Sequence, residues 1–509
     1  MCGFLFALQR KPIVTNEAFE AALDSQSWRG PDSKRTIEYN DDGVLIGHNR
    51  LSIVDPFARS NQPMQTQCGR YTIAYNGEIY NQNEIRKQLQ LPCQTTSDTE
   101  VILLGYQKLG AKITELLQGM FAFVIYDKFK KEWFAARDRF GIKPLYIFET
   151  DDCTVMGSEP GVIARLLKLD IDQESIAEWQ IARRPMPGFS FFKGLKEFPI
   201  AHFHQGSQRN PERYYQLTQS ESTYCQEEFE ELLKQSIVAH EMSDVSNVSL
   251  LSGGMDSAVV AQLSSVHRAY TIGSRENNEF AGAQDSAAVA DIDLRQIIAD
   301  SDGVEDTWRH LIKLRGEPLS VPNEGLIYNV CKAMEPKEKV VLTGEGADEL
   351  LFGYDGIFRW SLADQWQGAA SFLRRYGYSE DVAPTERFIE YIVRLKAGKT
   401  TNEFVEDFFW DFHLPGLLRR MDFASMAASK EARVPFVYSS LADYLYRRPA
   451  ALKISATESK IPLRKYCERL GLHGAIERKK IGFSATFGGV NKINEYKYFQ
   501  KLNLEVLEW

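Results

Sequence analysis

Cysteine is scarce in this chain. Seven cysteines are scattered over 509 residues and no two form a C-x-x-C pair, so neither a disulfide framework nor a zinc ribbon is expected. A basic surplus is also missing. Lys+Arg total 60 against Asp+Glu 69, a net charge of −9, which removes the positive face a nucleic-acid binder uses. Any nucleotide ligand therefore needs a dedicated site. No stretch approaches the ~20 apolar residues that span a bilayer, so no membrane partner is expected. The opening MCGFLFALQR has too short an apolar run and no basic leader for a signal peptide, making the cytoplasm the expected address. Repeats and low-complexity tracts are lacking. What is present is ordinary: 44% hydrophobic and 25% charged residues exclude intrinsic disorder and collagen. At roughly 100–200 residues per domain, the length predicts two to four domains.

The first ~200 residues read as strand-rich. Met120–Tyr126 and Glu132–Arg137 flank a Lys-rich turn and predict a hairpin; Tyr71–Tyr75 and Leu145–Phe148 are further short β-like runs. Helical patterns fall at Glu17–Gln26 and Thr99–Leu109. Stacked antiparallel sheets with covering helices are expected. The polar, turn-rich segment 202–211 reads as a linker. Beyond it, Asn247–Leu251, Arg268–Ile272 and Lys339–Leu342 are β-like runs, two of them followed by Gly-rich turns and helix starts. That grammar predicts a parallel sheet covered by helices, and from ~360 onward the pattern is mostly helical.

Cys2 lies behind a removable Met1. A thiol on the first mature residue has its own α-amine, of reference pKa ~7.7–8.0, as a nearby base. A retained Met1 would leave no free Cys2 amine to serve as that base. Four motifs follow in order: Arg29-Gly30-Pro31-Asp32, the run from His48-Asn49-Arg50 through Ile53-Val54-Asp55, Asn76-Gly77-Glu78-Ile79-Tyr80-Asn81, and Ser97-Asp98-Thr99-Glu100. With Cys2 and Arg137-Asp138 they resemble the class II glutamine amidotransferases, whose glutaminase domain is an N-terminal-nucleophile (Ntn) hydrolase, over most of residues 2–160. The resemblance implies L-glutamine as a partner. It gives Cys2 as nucleophile and Arg50 as a fork for the α-carboxylate. Glu78 and Asp98 would hold the ammonium, and Ile53 and Val54 would line the pocket. The Asn76 side chain and the Gly77 N–H would form the oxyanion hole, where losing one donor costs ~3–4 kcal/mol of transition-state stabilisation. Alone, Asn76-Gly77 would read as a hairpin turn.

In the second half, Leu250-Leu251-Ser252-Gly253-Gly254-Met255-Asp256-Ser257 joins a strand to a helix. Its exposed N–H groups and helix N-terminus suit an anion. No Gly-Lys-Ser/Thr follows in the loop, so it is not a Walker A turn. It resembles the pyrophosphate loop of ATP pyrophosphatases. Thr343-Gly344-Glu345-Gly346-Ala347-Asp348-Glu349 forms a second turn after a strand, at the edge where open α/β sheets bind ligands. Its acidic residues would repel a triphosphate unless a cation intervened, so Mg²⁺ is expected on Asp256 and Asp348. Ile272 is placed to contact adenine; ordinary core is the plain alternative.

With Glu431-Ala432-Arg433-Val434-Pro435-Phe436 and Arg478-Lys479-Lys480-Ile481-Gly482-Phe483, the whole chain resembles glutamine-dependent asparagine synthetases and their amidotransferase relatives. The implied architecture is a multidomain α/β protein. Residues 1–205 would be an Ntn-hydrolase αββα sandwich. Residues 206–509 would be a parallel-sheet ATP-pyrophosphatase domain with a largely helical C-terminal part. ATP would be the activating substrate, bound by Leu250, Ser252, Gly253, Gly254, Asp256, Ser257, Ile272, Gly344 and Glu345. Glu345 and Lys480 would be catalytic, with Lys479 the alternative if the register slips by one. Aspartate is the leading acceptor. Yet 316–325 and 274–279 depart from the pattern of aspartate users, so another carboxylate (a sugar acid, peptide or biosynthetic intermediate) stays open. A stand-alone glutaminase is the rival of another class, and a homodimer is left open as the assembly.

Overall fold

The computed structural model describes residues 2–275, 277–299, 303–379, 381–478 and 492–508. In the first half, Cys2–Gln9 lies centrally in a six-stranded antiparallel sheet ordered Leu195–Glu197, Tyr146–Glu149, Cys153–Gly157, Cys2–Gln9, Val44–Arg50, Ser33–Tyr39. Alternation along that strand divides its side chains. Phe4 and Phe6 face a second sheet through Ala74, Ala122, Val124 and Trp133. Leu5 and Ala7 face the helices Asn16–Ser25, Pro160–Leu167 and Gln173–Ala182 through Phe19, Ile163 and Trp179. The second sheet runs Glu212–Arg213, His202–Gln205, Glu132–Arg137, Gly119–Asp127, Tyr71–Ile79, Met64–Gln65. Its outer face packs on the helix Asp98–Leu109 through Tyr75, Phe121 and Val101. The result is the αββα sandwich, both sheets alternating because each buries two faces.

One segment differs from its sequence reading. The turn-rich run 202–211 is not a free linker: His202–Gln205 pairs with Glu132–Arg137 and with Glu212–Arg213, extending the second sheet. A short strand near the rim of a sheet carries few apolar residues, which is why composition alone suggested a connection.

The second half is built on a five-stranded parallel sheet ordered Asp293–Ile298, Arg268–Gly273, Ser246–Leu250, Glu338–Leu342, Glu431–Arg433. The first strand in sequence, Ser246–Leu250, sits in the middle. Chain order therefore reverses between it and Glu338–Leu342, and a crevice at the carboxyl ends follows from that switch point. Helices cover the sheet and make up most of 355–427, including a π-helical stretch Phe409–His413. π-Helical turns are rare and are found frequently at functional positions.

The halves share a core. Tyr80, Met120, Phe140 and Ile142 pack with Leu251, Leu342, Leu414 and Val434, and Leu51 and Ile53 pack on Val340 and Met426. Buried ions stitch the same interface. Arg29 pairs with Glu159 at 2.5 Å and Asp422 at 2.8 Å, and Lys143 reaches Asp422 at 3.3 Å. Burial alone would push the Asp422 carboxyl up; Arg29 and Lys143 outweigh it and hold it below its ordinary value. Removing one partner of such a cluster leaves a charge uncompensated, a loss of about 3–5 kcal/mol. Asp422→Ala is therefore expected to lower the apparent thermal unfolding midpoint well beyond Asp422→Asn. Equal midpoints for the two variants and the parent would show that water already screens the cluster.

Candidate active site

Strand pairing assembles the first site. Cys2 pairs across from Arg50, and the Cys2 backbone N–H donates to Asn76 Oδ1 at 3.0 Å. Asn76-Gly77 lies within the strand Tyr71–Ile79, opposite Ala122 and Phe121, so the hairpin-turn reading is excluded. Gly77 is required by proximity: a Cβ there would sit 2.1 Å from the Met120 carbonyl oxygen. The Asn76 Nδ2 is buried without a hydrogen-bond partner, an orphaned donor beside a thiol. Burial pushes the Cys2 thiol above its usual value, with a Leu51 backbone hydrogen bond and the Arg50 charge opposing it.

The Arg50 guanidinium is held by its own loop. It donates to the carbonyls of Phe57, Val54 and Asp55 and to Asn61 Oδ1 at 2.5–3.1 Å. Val54 thus shapes the site through its carbonyl, whereas the Ile53 side chain faces the second half and its carbonyl accepts from the Asp244 N–H. Asp98 accepts from Tyr75 Oη at 2.7 Å and Ile79 N–H at 3.0 Å. Burial raises both Glu78 and Asp98; for Glu78 the Asp98 charge adds to it. Glu78 Oε2 takes Arg433 at 3.1 Å while Oε1 is buried without a partner. An orphaned amide donor and an orphaned carboxylate acceptor in one pocket suit a zwitterion bearing an amide.

The second site sits at the switch point. Leu250 ends its strand, and the turn that follows folds on itself: the Ser252 N–H and Oγ both meet Ser257 Oγ at 2.9 Å, and the Gly254 N–H donates to Ser252 Oγ at 3.2 Å. The Gly253 N–H donates to Glu279 at 3.3 Å. The other turn lies against this one. A Cβ on Gly344 would come within 2.7 Å of the Asp256 carbonyl carbon, so the two turns are in backbone contact. Ile272, one residue before the end of the strand Arg268–Gly273, packs among Val248, Leu250 and Leu326 as core. Glu345 accepts from Arg420 at 2.6 Å.

Asp256 and Asp348 converge on one cation, which is Lys460. Its Nζ lies 2.7 Å from Asp256 and 2.5 Å from Asp348. Sequence reasoning passed over Lys460. The only signal was the Pro462 that opens the helix Ile461–Arg469, which places Lys460 at its N-cap in a left-handed turn, φ 55°. Lys479 and Lys480 lie outside the described residues. Two carboxylates meeting at one point offer hard oxygen donors and suit Mg²⁺; among the described residues no group of three or more His, Cys, Asp or Glu converges as a metal cage.

Behind Asp348, Glu349 accepts from Tyr354 Oη at 2.6 Å, and Tyr354 lies 3.2 Å from His413 Nε2. Burial, then the charges of Asp348 and Glu345, push Glu349 up to about 8. The strand Glu431–Arg433 stands between the two sites. The Arg433 side chain reaches Glu78, while its carbonyl accepts from the N–H of Thr343, which opens the Gly-rich turn, at 3.0 Å. Burial opposes ionisation of Glu431; surrounding positive charge, that of the chain's terminal amine first and then Arg433 and Lys143, overcomes it and holds the carboxyl down to about 2.

Comparison with known proteins agrees with this division. Residues 1–216 match the family model of the glutamine amidotransferase domain, and 228–504 match that of asparagine synthase. Asparagine synthetase [glutamine-hydrolyzing] 3 of Bacillus subtilis is 28% identical over 96% of this chain and 87% of its own. Asparagine synthetase B of Escherichia coli is 30% identical over 64% of this chain and 59% of its own. Among solved structures, B. subtilis glutamine phosphoribosylpyrophosphate amidotransferase covers 68% of this chain and 82% of its own at 14% identity, with a TM-score of 0.33. No helix among the described residues is long and apolar enough to cross a membrane.

Burial holds His48, His240 and His413 neutral, each down to about 3. The unfolded chain takes up protons below pH ~6.5 while the folded chain refuses them until far lower, so stability must fall as pH drops through that window. Each imidazole costs up to about 2 kcal/mol at pH 5. Thermal midpoints measured from pH 7 to 5 are expected to fall less steeply for His240→Gln than for the parent; parallel curves would place water at His240.

Proposed function

We propose, for a chain that belongs to the asparagine synthase family and is a glutamine-dependent amidotransferase, that it adenylates a carboxylate with ATP and amidates it with ammonia released from glutamine. Aspartate is the leading acceptor and another carboxylic acid the second reading; the departures of 316–325 and 274–279 from the residue pattern of aspartate users favour keeping both. The observation that carries the proposal is the meeting of Asp256 and Asp348 at one cation beside the switch point, in a chain whose other end holds Cys2 against Asn76.

Glutamine enters with its α-carboxylate toward Arg50 and its ammonium toward Glu78 and Asp98. The Cys2 thiol attacks the amide carbon. The oxyanion that forms accepts from Asn76 Nδ2 and the Gly77 N–H, the first of which has no other partner. Ammonia leaves and water hydrolyses the thioester, giving glutamate. In the second half, a carboxylate oxygen of the acceptor attacks the α-phosphorus of ATP and pyrophosphate leaves. The Ser252, Gly253 and Gly254 turn binds phosphate oxygens through N–H groups. Mg²⁺, held by Asp256 and Asp348, would neutralise phosphate charge when bound. Lys460 is an ammonium at that point among the described residues and supplies positive charge to the phosphates, with Lys480 of the sequence reading as the other candidate. Ammonia attacks the acyl carbon, AMP leaves, and Glu345 takes the proton lost from nitrogen. Residues 1–205 and 206–509 would divide the two chemistries.

Ammonia is mostly ammonium near neutral pH, so transfer between the sites requires shelter from bulk water. The region around Glu431 and Arg433, with Met120, Ile142 and Val434 beside it, is the route we assign.

Cys2→Ala is expected to abolish glutamine-driven amide formation and keep synthesis from ammonium. Asp256→Asn and Lys460→Met should lower pyrophosphate release at least ~100-fold, the scale of losing a charged transition-state contact, while glutamate release continues. Assays of glutamate, pyrophosphate and amide separate these arms. Loss of ammonium-driven synthesis in Cys2→Ala would contradict two independent sites.

A further inference from the structure

The glutamine pocket is not held by the first half alone. The two terminal nitrogens of Arg50 are spent on its own loop, on the carbonyls of Val54, Asp55 and Phe57 and on Asn61 Oδ1, at 2.5–3.1 Å. The guanidinium therefore stands where residues 54–61 put it. Two carboxylates from the sequence motifs, Asp32 and Asp55, hold that loop in place.

Asp55 is the strained point. Its φ is 46°, left-handed at a non-glycine position, a conformation that persists only where the surroundings over-determine it. Its buried carboxylate accepts from the Thr96 N–H at 2.8 Å, from Thr96 Oγ1 at 3.0 Å and from Arg59 Nε at 3.0 Å. Its carbonyl accepts from Arg50. Its N–H donates to Asp244 Oδ2 at 2.8 Å, and Asp244 belongs to the second half. The tie is reciprocal, because the Asp244 N–H donates to the Ile53 carbonyl at 3.1 Å. Two hydrogen bonds thus clamp 53–55 to one second-half residue. Asp32 makes the other handle. Its Oδ2 accepts from the Ser52 N–H at 2.7 Å and from Lys339 Nζ at 2.6 Å, and Lys339 also donates to the Ser52 carbonyl at 3.3 Å. Between the handles, Leu51 and Ile53 pack on Val340 and Met426, with Val54 and Val245 beside them.

The second-half partners sit at telling places. Asp244 precedes the strand Ser246–Leu250, and Lys339 lies near the start of the strand Glu338–Leu342. These strands pair in the middle of the parallel sheet, and their carboxyl ends carry the Ser252–Asp256 and Thr343–Glu349 turns. The same two strands hold the Arg50 loop at one end and the nucleotide turns at the other. We infer that Asp244 is a positioning residue for glutamine: through Asp55 it fixes the loop that places Arg50, so the nucleotide half contributes to glutamine binding. Lys339 supports the same loop through Asp32. Neither side chain reaches the thiol, so the effect falls on glutamine affinity and not on the chemistry at Cys2. This rests on the reading that Arg50 receives the glutamine α-carboxylate.

The test measures steady-state glutamate release from glutamine by the full chain. Asp244 lies at the surface, so its substitution spares the core, and thermal midpoints confirm that the variants fold. Asp244→Ala is expected to raise the KM for glutamine ~5-fold or more, the order of one net hydrogen bond, with kcat held within about twofold. Asp244→Asn keeps an oxygen acceptor for the Asp55 N–H and should stay near the parent. Lys339→Gln tests the other handle and should raise the same KM by less, because the Lys339 and Asp32 side chains are 20% and 30% exposed and their attraction is screened. Arg50→Met tests the underlying reading and should raise that KM most. A glutamine KM unmoved in Asp244→Ala, a loss confined to kcat, or equal losses in Asp244→Ala and Asp244→Asn would overturn the inference and leave the glutaminase standing. A parent that releases no glutamate, or an Arg50→Met variant with the parent's glutamine KM, would overturn the glutamine reading and this inference with it.

Discussion

Arg433 is the residue on which the arrangement turns. Its side chain is fully buried, so its charge has to be answered inside the protein. Glu431 answers at 2.7 Å and Glu78 at 3.1 Å, while the carbonyls of His240 and Met242 take its remaining donors. Glu78 belongs to the strand that carries Asn76. The Arg433 carbonyl in turn fixes Thr343 at the head of the second site's turn. A single buried guanidinium therefore sets the register of both pockets against each other. Displacing one half against the other would strip Glu78 of its buried counter-ion, since Glu431 and the carbonyls of His240 and Met242 move with Arg433.

The two pockets follow one rule from opposite signs. The first presents buried groups with unmet valence, the Asn76 amide donor and the Glu78 acceptor, and so favours a neutral amide on a zwitterion. The second concentrates carboxylates at the carboxyl edge of a parallel sheet and answers them with Lys460. Low local dielectric makes each unmatched charge expensive, so both pockets are selective for ligands that complete them.

Much of the site was legible from chemistry-bearing residues in short motifs. Cys2, Arg50, Asn76, Gly77 and Asp98 come together, as do the turns holding Ser252–Asp256 and Gly344–Asp348. Lys460 was not legible because a lone lysine carries no pattern; only the fold brings it to Asp256 from two hundred residues away. The strands His202–Gln205 and Asp293–Ile298 were missed for a similar reason. Their polar residues lack the apolar alternation that marks a strand, and pairing with a neighbour supplies their stability instead.

The amino-acid order by itself determined the alternating strands of the sandwich, the strand–turn–helix units of the parallel sheet and the reactive groups each turn displays, because periodicity and turn chemistry act within a few residues. Tertiary structure alone decided that Asn76-Gly77 is a strand interior and that Lys460 meets both aspartates. Those outcomes depend on long-range burial, where charges must find partners wherever the packed chain provides them.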